Sequence, residues 1–108
     1  RTHVRANKKV IAQPVELTLD GARHSIITLE QAQGAASRLQ IKSANLQSQR
    51  ATYEQMAQVY RDKLSNPGAN TEHIRAQIRA YEKLAAEHQH ARQLLDQQIQ
   101  LLRDAFKF

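Results

Sequence analysis

A chain of 108 residues, 41% hydrophobic but only 5% aromatic, has room for one modest core and not for a multilayer enzyme. The absence of Cys excludes disulfide staples, thiolate metal sites and thiol catalysis together, and no apolar run approaches the roughly 20 residues that span a bilayer. The net charge of +6 is weighted to the front, because Arg1, Arg5, Lys8 and Lys9 all precede the first acid, Glu16.

Residues 1–14 read as a basic flexible arm closed by Pro14, with Val10 to Ala12 as the one stretch apolar enough for a short edge strand. From residue 15 a single domain is expected, 15–108. Val15, Leu17 and Leu19 alternate with Glu16 and Thr18; after Asp20-Gly21, Ala22, His24 and Ile26 alternate with Arg23 and Ser25. Two residues that tolerate positive φ between alternating runs predict a β-hairpin over 15–27 with a type I′ turn. Its register pairs Leu19 with Ala22, Leu17 with His24 and Val15 with Ile26, all on one face. A two-stranded hairpin is marginal in water, so that face needs a cover.

Thr28 followed three residues later by Gln31 is a capping box, and it opens a helix over 28–65 in which Gly34 is the weakest interior position. Asn66-Pro67-Gly68-Ala69-Asn70 predicts a turn over 66–70. Asn70 or Thr71 then caps a second helix over 71–106, with Glu72 in its first turn. Each helix spans about 54 Å at 1.5 Å per residue. Steps of three and four select an apolar seam on both, and folding back at Pro67-Gly68 sets large side chains against small ones. Ala57 meets Tyr81, Tyr53 meets Ala85, Ala36 meets Leu102 and Ala32 meets Phe106. The middle of the seam is polar, with Arg50 opposite His88 and Leu46 opposite Arg92, so these heads need solvent or acceptors such as Glu54 and Glu87. The fold class expected is mainly α, a long antiparallel helical hairpin of coiled-coil type with a small N-terminal β-hairpin.

A second apolar stripe runs along Leu84, Ala91, Leu94, Leu101 and Ala105 of the second helix, with Ile41, Ala44, Ala51 and Val59 on the first. Two helices cannot hide two stripes each, which makes the first five residues a candidate self-association face. Of the histidines, His88 and His90 stand about 200° apart around a helix, the wrong spacing for a shared metal, and His3, His24 and His73 are scattered. No nucleophile turn, phosphate loop or convergent carboxylate pair is present. The expectation is therefore a non-enzymatic chain without metal, cofactor or small-molecule substrate, with the cytoplasm as the favoured compartment. Arg75, Arg79 and Lys83 recur one turn apart, as do Arg38 and Lys42. With Arg1, Arg5, Lys8 and Lys9 the first three form a candidate polyanion contact, although the tyrosines fall on the seam and offer no platform for bases. Assembly with itself or with a larger protein complex is the leading functional expectation, and accessory nucleic-acid binding the alternative.

The stretch Gln13-Pro14-Val15-Glu16-Leu17-Thr18-Leu19-Asp20-Gly21, followed by a strand and a helix, resembles the start of the small cell-division proteins that crosslink the tubulin-like division filament. The resemblance covers about a quarter of the chain. The chain departs from that family at Asn66-Pro67-Gly68, where the family's dimerisation coil is continuous.

Overall fold

The computed structural model describes residues 10–108, which form two strands, β1 (Val10–Leu19) and β2 (Ala22–Thr28), and two helices, α1 (Leu29–Lys63) and α2 (Thr71–Phe106). The expected class is the one adopted: two long helices packed against each other and an antiparallel β-hairpin at the N-terminal side. Arg1, Arg5, Lys8 and Lys9 of the expected arm, and His3, lie outside the described residues. Residues 10–14 of that arm, the part that is described, are strand, since β1 begins at Val10. Pro14 lies inside β1, where it has no N–H to give to a ladder, and the register slips between Val10 and Val15 accordingly.

Each element is bounded by the local chemistry of its ends. Asp20 and Gly21 both have positive φ, 53° and 82°, as a type I′ turn demands. The register that follows is Leu19↔Ala22, Leu17↔His24 and Val15↔Ile26. At the start of α1 the Gln31 N–H donates to Thr28 Oγ1 at 3.1 Å, while Gln31 Oε1 accepts from the Thr28 and Ile27 N–H groups at 3.3 and 2.9 Å. α1 passes Gly34 without a break and ends two residues before Ser65. Pro67 and then Gly68, with φ 76°, occupy the middle of a turn closed by the Ala69 N–H on the Asn66 carbonyl at 3.2 Å, the pattern of a type II turn. Asn70 is the residue that caps α2, its Oδ1 accepting from the His73 N–H at 3.0 Å. At the far end Lys107 adopts φ 58° and its N–H returns to the Arg103 carbonyl, an αL cap.

The described residues group into two compact units. The sheet unit comprises the β-hairpin, α1 as far as Lys42 and α2 from Leu94. Its core sets Leu17, Leu19 and Ile26 of the hairpin over Ala32, Ala35, Ala36 and Leu39 of α1 and Ile99, Leu102 and Phe106 of α2. Leu39 and Leu102 are fully enclosed. The hairpin thus finds the cover it lacks alone, and the small residues of α1 let the larger ones of α2 approach.

The loop unit, Ser43–Gln93, is built from the halves of α1 and α2 that flank the turn. Ala57, Ile74, Ile78 and Ala85 are buried in it. Tyr81 stacks on Tyr53 and Tyr60 at centroid distances of 6.1 and 5.8 Å, so its ring lies between residues four before and three after Ala57. That placement is what the expected pairing of Ala57 with Tyr81 requires.

Candidate interaction surfaces

In the polar layer of the loop unit the arginines find side-chain acceptors, the expected Glu54 among them. Arg50 donates to Gln89 Oε1 at 2.7 Å and pairs with Glu54 at 3.3 Å, one turn along its own helix. His88 instead lies edge-on to Tyr53, 5.1 Å between centroids, with its Nδ1 2.8 Å from the Leu84 carbonyl. A carbonyl only accepts, so Nδ1 carries the proton. Arg92 reaches past Leu46 to Ser43 Oγ at 3.3 Å and Gln47 Oε1 at 2.8 Å. These glutamines satisfy the half-buried guanidinium groups without burying a second charge. Glu87, expected as an acceptor, makes no ion pair among the described residues. Beside the Arg50–Gln89 bond an open groove of about 490 Å³ is lined by Ala57, Ala85 and Ala86. The pairs Arg50–Glu54 and Arg61–Glu82 border it.

The candidate self-association residues divide between the units. Leu84 and Ala91 are half-buried in the loop unit. In the sheet unit Ala105 packs on the core, but Leu94 and Leu101 remain 48% and 50% exposed. Their neighbours Leu95, Ile99 and Leu102 belong to or pack on the core that includes the hairpin residues, whereas Leu94 and Leu101 do not. Ile41 and Phe108, both of the sheet unit, are exposed as well.

The basic candidates also separate. Lys42 binds Asp20 Oδ1 at 2.9 Å, and this hydrogen bond and charge hold the Asp20 carboxyl below the usual carboxylate range, with Arg38 and His24 adding to the same effect. Lys42 is thereby tied to the hairpin turn. Arg75, Arg79 and Lys83 are exposed on α2 and enter no ion pair among the described residues. No group of three or more metal-ligating side chains occurs among the described residues, and no helix there is long and apolar enough to cross a membrane. Sequence reasoning did not foresee the Tyr53–Tyr81–Tyr60 stack or the Arg50–Gln89 bond; the tyrosines' shared place on the seam was the one available signal. No family model matches the chain, and neither a curated protein nor a solved structure matches it at a significant level, so any functional reading rests on the surfaces just described.

Proposed function

We propose that the chain is a non-catalytic assembly protein, which associates with itself or within a larger protein complex through the apolar flank of α2 in its sheet unit. The observation that carries this reading is the half exposure of Leu94 and Leu101, one heptad apart, beside a core that already has its cover. Exposed leucines at coiled-coil spacing match the seam of a further helix. Sedimentation velocity over a concentration series tests it. The wild-type chain should gain mass with concentration, and Leu94→Glu/Leu101→Glu should weaken association by about two orders of magnitude, since each leucine loses its burial at the contact. Far-UV dichroism of the variant should be unchanged because the seam residues are untouched. A wild-type chain that is monomeric at every accessible concentration would sink self-association.

A second reading, accessory nucleic-acid binding by the N-terminal arm and the basic row of α2, has in its favour that Arg75, Arg79 and Lys83 are exposed and unengaged by acids. Duplex binding would then weaken steeply with salt. Deleting residues 1–9 should flatten the slope of log affinity against log salt by about 3 to 4 if the four bases of the arm each meet a phosphate. The absence of duplex binding at low salt would end this reading.

A further inference from the structure

Glu72, Arg75, Arg79, Lys83 and Glu87 follow one another along α2 within the loop unit, and all five are exposed. Neighbours in this row stand three or four residues apart, so they share one helix face and extend over about 22 Å. None of the five is in an ion pair among the described residues. Glu82, the acid nearest the row, is held by Arg61 of α1. The three bases therefore repel one another one turn apart, and none of them is neutralised by an ion pair among the described residues.

The order of charges is the informative feature. The acids bound the triplet of bases and do not interleave with it. A uniform polyanion gains at Arg75, Arg79 and Lys83 and is repelled at Glu72 and Glu87. A partner with a finite, ordered set of charges gains at all five positions. The exposed residues beside the row include Ala76 and Ala80, whose small side chains let a second helix lie close. The tyrosines of the loop unit are engaged with one another, Tyr81 stacking on Tyr53 and on Tyr60, and so are not free for base stacking.

We infer that this face docks a helix of another protein that carries three acidic residues one turn apart, bounded on each side by a basic residue. The inference rests on the assembly reading and supplies the chemistry of one partner; the two are separable, because that reading is tested through Leu94, Leu101 and the mass of the chain.

Fluorescence anisotropy with the full chain and stapled helical peptides tests it. One peptide carries Lys-Glu-Glu-Glu-Lys at one-turn spacing, a second carries Glu at all five places, and a third reverses the charges of the first. A short DNA duplex is the fourth probe. The lysine-bounded peptide should bind about tenfold more tightly than the all-glutamate peptide, because two attractive pairs replace two repulsive ones. The variant Arg75→Glu/Arg79→Glu/Lys83→Glu, with its helical dichroism unchanged, should lose the first peptide and prefer the third. The idea is overturned if the all-glutamate peptide or the duplex binds at least as well as the first peptide, which would assign the row to a polyanion. It is equally overturned if no peptide binds or if the variant discriminates as the wild type does.

Discussion

Replacing Leu102 with Ala is expected to lower the unfolding free energy by about 2–5 kcal/mol, read as a shift of the urea midpoint followed by far-UV dichroism. Leu102 is fully enclosed in the sheet unit, between the hairpin residues Leu17, Leu19 and Ile26 and the small residues Ala32 and Ala36 of α1. The loss has two parts: the transfer of the removed methyl groups, and a cavity that the neighbours must fill. Here filling is poor, because Ala32 and Ala36 have no side-chain length to lend and the hairpin is held in register by its turn. A small domain has about 5–15 kcal/mol in total, so one such change removes a large share. Leu101→Ala, one residue away but 50% exposed, should shift the midpoint far less. Equal shifts for the two would mean that the core has been assigned to the wrong face of α2.

What could be read from the sequence was whatever local chemistry or residue size decides. Asp20-Gly21 fixes a turn because both residues accept positive φ, and the register from Val15 to Leu19 follows from it. Thr28 with Gln31, and Asn70, mark helix starts because their side chains satisfy N–H groups that a helix leaves open. The alternation of Ala with Tyr, Leu and Phe along the two helices places Ala57 against Tyr81 because volumes must match. Charge and polarity did not resolve in the same way. Glu54 was within helical reach of Arg50 and pairs with it, but the bond to Gln89 of the other helix depends on rotamers that residue types at seam positions do not determine. Pro14 in sequence marks the edge of an arm, whereas an irregular strand accommodates it equally well.

The surfaces were legible as residue sets and not as environments. Leu94 and Leu101 stand out by spacing, but only the packed core shows that they stay exposed while Leu95 and Leu102 do not. Arg75, Arg79 and Lys83 stand out by repetition. That the row retains its charge depends on Glu82 being drawn across to Arg61, a contact between residues far apart in the chain. Lys42 is the converse case: it resembles the others in sequence, yet it is paired with Asp20 at the hairpin turn.

Enlarging Ala57 to Leu should destabilise the chain by about 1–3 kcal/mol, whereas Gln58→Leu should be nearly neutral. Ala57 is 1% exposed, with the ring of Tyr81 between the rings of Tyr53 and Tyr60 that stand on either side of it along α1. The extra methyl groups of a leucine at 57 press on the ring of Tyr81, and moving Tyr81 disturbs both of its stacking contacts. Gln58, next along the helix, is exposed at the open groove and has room for a longer apolar side chain. Thermal unfolding distinguishes the two variants, and near-ultraviolet dichroism of the tyrosines reports whether the stack itself has moved. A change in that tyrosine signal in Ala57→Leu alone is the expected result. If both variants melt alike with the tyrosine signal intact, Tyr81 does not face Ala57 and the helices meet in another register.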